Sequence, residues 1–464
     1  MKRILKKILF SKYIYPLFRR VYFLFFRLNG GQGGRAAQKY LKQLNKTEFA
    51  SLDELKTIQD NKLKKLIKEI YENVPYYRKI MDKKKIIPSD IKTKEDLKIF
   101  PILTKQKIRD NFNDLVNMKY KKKRLKIITT GGTTGIPMKF YFSKHEDAVR
   151  NAHWERWKKF AGVKQFDRFM YIGMDENAKD NPNYSGTFTK EGYYLMASFG
   201  LDDERLWKYV ENIKRFKPVY LRGYASACYI LADFFKRNKI NYPLKAVLTS
   251  SDTLYPQQRE IIEKVFSCRV FDHYGQNEDI VTATECEYHN GYHINMESCI
   301  VEIIDENGRP VAGEEIGRIV GTHLENYCMP LIRYDTNDLG CVTYKKCPCG
   351  KSHIRIKRLF GRKDDIIITP DGKKVGCGSM NQPMKYLYDE ILETQFIQKA
   401  KDLLVVKFIP TDKYTIESQI KFEKHIRNQV GNSIKIQFQK VSKIPKTQAG
   451  KHRLIISEIL EATK

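Results

Sequence analysis

Residues 129 to 139 read Thr129-Thr130-Gly131-Gly132-Thr133-Thr134-Gly135-Ile136-Pro137-Met138-Lys139. Glycine lets backbone N–H groups approach an anion closely, and threonine hydroxyls add donors. The run Thr130 to Gly135 therefore has the chemistry of a cradle for nucleotide phosphates. It is not a Walker loop, because no Gly-Lys-Ser/Thr follows and no helix opens behind it. Taken alone, a Gly/Thr turn in a hairpin accounts for it equally well. A second set of residues is rich in soft metal ligands. Cys347-Pro348-Cys349-Gly350 puts two thiols on a tight turn, and the run from Cys286 to His293 supplies a third thiol and two imidazoles. Three sulfurs and one nitrogen make a tetrahedral structural zinc site. His289 and His293 compete for the nitrogen position, and reduced cysteines without metal are the competing reading.

Four further stretches follow along the chain. They are Asp272-His273-Tyr274-Gly275-Gln276-Asn277-Glu278, Arg333-Tyr334-Asp335-Thr336-Asn337-Asp338-Leu339, Gly361-Arg362-Lys363-Asp364-Asp365 and Pro445-Lys446-Thr447-Gln448-Ala449-Gly450-Lys451. In this order and spacing they resemble the adenylate-forming superfamily of acyl-CoA synthetases. Within it the chain is similar to the phenylacetate–CoA ligase family, including the relatives found with capsular polysaccharide genes. Asn73-Val74-Pro75-Tyr76-Tyr77-Arg78, then Asp90-Ile91, Glu95-Asp96-Leu97 and Phe100-Pro101-Ile102-Leu103-Thr104-Lys105, are also typical of that family. The resemblance spans roughly residues 50 to 460.

The resemblance implies an ATP-dependent, Mg²⁺-requiring enzyme. It would activate a carboxylic acid as an acyl-adenylate, release pyrophosphate, and pass the acyl group to CoA or a carrier-bound thiol. Adenylation in polysaccharide modification without a CoA thioester is one alternative. A basic membrane- or nucleic-acid-binding protein with a degenerate ligase fold is another, and nucleic acid is not the expected partner. By the resemblance, Thr130, Gly131, Gly132, Thr133, Thr134 and Gly135 wrap the β- and γ-phosphates, and Lys139 stands where the family often carries a lysine. Tyr274 would stack on adenine, beside Gly275, Gln276 and Asn277, since an aromatic face gives contact area at little entropic cost. Glu278 would hold Mg²⁺, a hard cation that prefers oxygen. Asn277 replaces the family's hydroxyl residue. Ser250-Ser251-Asp252 resembles the Gly-Ala-Glu stretch that touches adenine, with both small residues changed. Asp338 would bind the ribose hydroxyls and Arg362 the ribose and α-phosphate side. Asp364 would be the hinge acid and Lys451 the catalytic lysine between carboxylate and α-phosphate. Tyr224 and Ser226 would line the acid pocket. In some family members a Cys, His, Cys-x-Cys set binds zinc, with the histidine at the position of His293; that gives Cys286, His293, Cys347 and Cys349.

These residues need elements to position them. Leu125 to Ile128 and Lys139 to Phe142 read as strands around the Gly/Thr loop. Residues 40 to 120 read as helical, with Leu55, Ile58, Leu63, Leu66, Ile67, Ile70 and Tyr71 at helical spacing. From 125 to 345, strand-like runs alternate with helical ones, as in Val219–Leu221 then Ala225 to Phe235, and Ala246–Leu248 then Gln257 to Phe266. Alternation of this kind indicates an α/β core. Val301–Ile304 and Arg318–Val320 flank a turn and predict a hairpin. After residue 400, strand, helix and strand follow at Leu403 to Ile409, Thr415 to Val430 and Ile434 to Val441. The fold class expected is α/β: a large multi-subdomain N-terminal adenylation domain over residues 36–362, and a small mobile α+β C-terminal domain over 363–464. Residues 1–35 form a separate basic amphipathic segment.

With 464 residues, 42% of them hydrophobic and 12% aromatic, the chain can build a large domain and a smaller one, and it is not a disordered protein. The net charge of +31 implies attraction to polyanions such as nucleotide or an anionic membrane face. Nine unevenly spaced cysteines argue against a disulfide framework and for the cytoplasm. Arg19, Arg20 and Arg27 interleave with Phe18, Tyr22, Phe23, Phe25 and Phe26, which suits a peripheral contact with the inner membrane face. The apolar runs there are too short to span a bilayer. Packing of these aromatics onto the enzyme body is the competing reading.

Overall fold

In the computed structural model, the residues described are 34–461, apart from 131–137, 166, 176–177, 179–180, 182–183, 190–191, 199–200, 363–364, 373, 377–379, 381, 386, 388–389 and 447–451. Residues 1–33 of the expected N-terminal segment, Gly131 to Gly135, Asp364 and Lys451 lie outside them. So does the Arg362 side chain, although its backbone is described.

The helical start arises as its spacing predicts. Ser51 caps Leu52–Asn73 in a reciprocal capping box with Glu54. Leu55, Leu63, Leu66, Ile67 and Ile70 fall on one buried face of that helix. Pro75 opens the next helix, Pro75–Lys84, where a missing N–H costs nothing. This layer packs against an antiparallel sheet half.

The strands in chain order are β1 (Lys126–Thr130), β2 (Met138–Phe142), β3 (Phe169–Gly173), β4 (Thr187–Phe188), β5 (Tyr194–Ala197), β6 (Tyr220–Tyr224), β7 (Ala246–Ser250), β8 (Arg269–Gly275), β9 (Thr282–Thr284), β10 (Tyr292–Ile294), β11 (Cys299–Ile304), β12 (Gly317–His323), β13 (Tyr334–Thr343) and β14 (Arg355–Arg362). β1 and β2 pair antiparallel with Thr130 opposite Met138, so the Gly/Thr run connects two paired strands. Among the described residues twelve strands form one sheet, ordered β11-β12-β13-β14-β10-β9-β8-β7-β6-β3-β5-β4. β5, β3, β6, β7 and β8 run parallel. From β8 through β9 to β11 the sheet is antiparallel. Helices Asp203–Phe216 and Ala225–Arg237 cover one face of the parallel half, and helix Lys144–Phe160 covers the other.

Further along come β15 (Ile366–Ile368), β16 (Lys374–Gly376), β17 (Ile391–Ala400), β18 (Leu403–Pro410), β19 (Lys435–Lys440) and β20 (Ile455–Ser457). The last four form a sheet ordered β19-β18-β17-β20, packed on helix Ile416–Val430 around Phe396, Phe408 and Phe422. The α/β class and the small C-terminal α+β unit are as the sequence leads one to expect. No described helix is long and apolar enough to cross a membrane.

Candidate active site and metal centre

In an open α/β sheet, ligands bind outside the carboxyl ends of the parallel strands. Tyr224, Ser250 and Gly275 are the last residues of β6, β7 and β8. Beyond β8 the chain turns back at once, bringing Glu278 beneath β13. The Tyr274 hydroxyl donates to Asp338 Oδ2 at 2.8 Å, and the Tyr334 hydroxyl donates to Glu278 Oε1 at 2.9 Å. Asp338 lies opposite Arg362 in the β13–β14 register. Tyr274, Glu278, Asp338 and the Arg362 backbone, up to 88 positions apart in sequence, thus converge from three strands and one turn. Burial, then the adjacent carboxylate, pushes both phenols well above their ordinary range. Both remain neutral donors, and the two carboxylates face them as acceptors. Asp338 sits within a strand, not in the turn that its Asn-Asp neighbourhood could suggest.

The other predicted residues are less uniform. Asn277 is exposed, and Gln276 Oε1 accepts the Val281 N–H at 3.1 Å, which holds the turn. Asp252 accepts from the Ala225 N–H at 2.6 Å and from the Ser226 hydroxyl at 2.5 Å. Asp252 and Ser226 therefore fasten the start of helix Ala225–Arg237 to the end of β7. Ser251 is exposed in a left-handed conformation at φ 79°, unusual for a residue with a Cβ. Tyr224 is buried at the mouth, and Lys139 is exposed on β2. Lys446, which begins the lysine loop, reaches across from the C-terminal unit. Its Nζ donates to the Ser198 carbonyl, just past β5, at 3.1 Å. A cleft runs between Ser226, Tyr229 and Tyr255 on one side and Glu393, Thr394 and His452 on the other.

Several residues at this end escape sequence reasoning. Asp279 is buried with Arg150 Nε 3.6 Å away, and burial raises its carboxyl to about 6 against the pull of that guanidinium. His273 lies between Ser250 Oγ at 3.1 Å and Thr282 Oγ1 at 3.0 Å and packs against Trp157, the ring centroids 5.1 Å apart and the planes tilted by 40°. Burial, then Arg222, lowers the His273 imidazole to about 3. Only the fold reveals these neighbours, because strands, the turn after β8 and helix Lys144–Phe160 supply them from different segments.

Cys286, His293, Cys347 and Cys349 bring their ligand atoms within 4.8 Å of one another. Cys286 Sγ is 3.7 Å from Cys347 Sγ, and Cys349 Sγ is 3.4 Å from His293 Nε2. A tetrahedron with Zn–S bonds of about 2.3 Å has S···S edges of about 3.8 Å, so this spacing suits zinc. Burial lowers His293 to about 3, leaving the neutral imidazole that a metal requires. His289 faces elsewhere, with Nδ1 at 3.3 Å from Glu285 and 3.2 Å from Arg259. The nitrogen in the cluster is that of His293. The set joins the turn after β9, strand β10 and the loop between β13 and β14. Asp338 lies toward the other end of that same hairpin.

A family profile described as the CapK C-terminal domain matches residues 367–458. Protein CapK of Staphylococcus aureus is 25% identical over 435 residues, covering 92% of this chain and 94% of CapK. The phenylacetate-coenzyme A ligase of Thermus thermophilus is 23% identical over 440 residues, 87% of this chain and 96% of that protein. Among solved structures, 2-hydroxyisobutyryl-CoA ligase in its postadenylation state, complexed with 2-HIB-AMP, matches with a TM-score of 0.74 at 20% identity, covering 90% of this chain and 93% of its own. In its thioesterification state the same enzyme matches with a TM-score of 0.55. The fold is that of adenylate-forming enzymes, arranged more like the postadenylation form. Along most of its length the chain is similar to CapK and to phenylacetate-coenzyme A ligases.

Proposed function

We propose that this protein activates a carboxylic acid with ATP and passes the acyl group to a thiol. The observation that carries the reading is the pairing of Tyr274 with Asp338 and of Tyr334 with Glu278 at the carboxyl ends of the parallel strands. Four residues from two distant motifs meet there, which supports a shared role in holding a nucleoside and its phosphates. Asp338 would accept the ribose hydroxyls, and Tyr274 would present its ring to adenine. The Gly/Thr loop would hold the outer phosphates, with Lys139 and the Arg362 guanidinium as further cations. Glu278 would hold Mg²⁺ through the oxygen that Tyr334 does not occupy. Bound there, the ion would neutralise the leaving pyrophosphate.

A carboxylate oxygen of the acid attacks the α-phosphorus, and the bond from that phosphorus to the bridging oxygen breaks as pyrophosphate leaves. Lys451 neutralises charge on both reactants as they crowd together. A thiol then attacks the acyl carbon, and AMP departs with the carboxylate's oxygen. The names of the relatives favour CoA as acceptor, and a carrier-bound pantetheine offers the same chemistry. The contact of Lys446 with Ser198 supports an adenylation-like arrangement, with residues 36–362 and 363–464 turning about Asp364 between half-reactions. Zinc at Cys286, His293, Cys347 and Cys349 would act as a structural clamp.

The test is ATP–pyrophosphate exchange driven by aromatic, aliphatic and amino-acid panels. Exchange that depends on one class of acid supports the reading, and exchange with none refutes it.

A further inference from the structure

One face of the parallel sheet carries side chains in rows set by the register. Tyr224, Ser250 and His273 form the row at the carboxyl ends. One row deeper, Tyr171 of β3 pairs with Arg222 of β6. The Arg222 guanidinium carbon lies 3.5 Å from the centroid of the Trp154 ring, 5.4 Å from Tyr171 and 5.6 Å from Trp157. Aromatic rings thus cover its faces. Stacking leaves the in-plane N–H edge of a guanidinium available for a bidentate acceptor. Among the described residues, no hydrogen bond or ion pair reaches that edge, and Nε is buried without a partner. The acid acting on it most, Glu155, is already paired with Lys158 at 2.5 Å. Beside it, Trp157 is 1% exposed, and its indole N–H also lacks an acceptor.

A buried donor left without an acceptor is destabilising, and more so when it carries a charge. Two such donors therefore belong to neighbouring side chains, and nothing in the described protein satisfies them. Arg222 is not sealed off, since the residue keeps partial exposure. The pair sits just below the mouth row at which the acid would be activated.

We propose that Arg222, with the indole N–H of Trp157, receives a second anionic group on the acid substrate, so that the enzyme prefers dicarboxylic or similarly dianionic acids. This rests on the adenylation reading above. The reacting carboxylate would stay at the mouth while its partner descends one row to the guanidinium. A neutral acyl chain would leave both donors unsatisfied.

The experiment compares malonate, succinate and glutarate with their monomethyl esters in ATP–pyrophosphate exchange, using the full chain. Wild type should favour the diacids. In Arg222→Gln the ratio of kcat/KM for a diacid to that for its ester should fall about 10- to 100-fold. Arg222→Lys should fall between, since it keeps the charge and loses the fork. Trp157→Phe keeps a ring and should lower the ratio less. Preference for the esters, or an unchanged ratio in folded Arg222→Gln, overturns the proposal and leaves adenylation standing. Exchange with no acid at all refutes adenylation instead. Thermal stabilisation by succinate then decides: greater in wild type than in Arg222→Gln supports the anion site, and equal or absent stabilisation overturns it.

Discussion

The Tyr274–Asp338 pair ties two motifs 64 positions apart by one hydrogen bond of 2.8 Å. If Asp338 binds the ribose hydroxyls, Asp338→Ala should weaken ATP binding by about 1.5–3 kcal/mol, the range for hydrogen bonds to charged groups. Tyr274→Phe keeps the ring and should cost about 1 kcal/mol or less. Nucleotide titration measures both, and the reverse order would contradict these roles. Lys451→Ala should cut pyrophosphate exchange by about 10²- to 10³-fold with little change in ATP affinity. The thioester step from preformed adenylate should suffer far less, and unchanged exchange would remove Lys451 from the chemistry. Types and spacing made these residues legible in the sequence. Arg222 was not legible: a lone arginine in a strand carries no motif. Its meaning comes from Trp154 and Trp157 on one helix and Tyr171 on another strand.

The β13–β14 hairpin carries Asp338 near one end and the cysteine loop at the other. A metal in that loop would fix the hairpin, and with it the placement of Asp338. About one zinc per chain is expected by elemental analysis of purified protein. Cys347→Ser should release it and lower the melting temperature by several degrees, with less effect on activity per folded molecule. Zinc-free protein of unchanged melting temperature would contradict the site. The alternation Tyr220–Tyr224, Ala225–Arg237, Ala246–Ser250 and Pro256–Phe266 was readable because each strand is short and largely apolar and is followed by a longer run at helical spacing. The antiparallel half was less so. β9 and β10 are three residues each, too short for any period. In β13 the polar run Asp335 to Asp338 looks like a turn, yet it is strand, and Asp338 meets Tyr274 there. Of the two histidines near Cys286, the His293 register opposite Arg355 and Thr284 aims it at the cysteines. His289, in a left-handed turn, goes to Glu285.

For the whole molecule, the charge of +31 and the basic aromatic segment before residue 30 bear on where the enzyme works. If that segment contacts membrane, the full chain should bind vesicles containing anionic lipid. Binding should weaken as ionic strength passes about 0.15 M, where the Debye length is about 8 Å. A chain starting near residue 35 should lose vesicle binding and keep activity on soluble acid. Destabilisation by that truncation, with no vesicle binding at any salt, would instead mean that the aromatics pack on the body. The large and small units, and the order of their motifs, were legible in the sequence because each motif is local. How the units meet, with Lys446 against Ser198, was not, since that contact spans 248 positions. The central claim is that the acid's own oxygen attacks the α-phosphorus. The most direct test supplies the preferred acid with ¹⁸O in its carboxylate, together with ATP and a thiol or hydroxylamine acceptor, and weighs the products. One ¹⁸O should appear in AMP, with none in pyrophosphate. Label in inorganic phosphate alongside ADP, or AMP without label, would contradict adenylation.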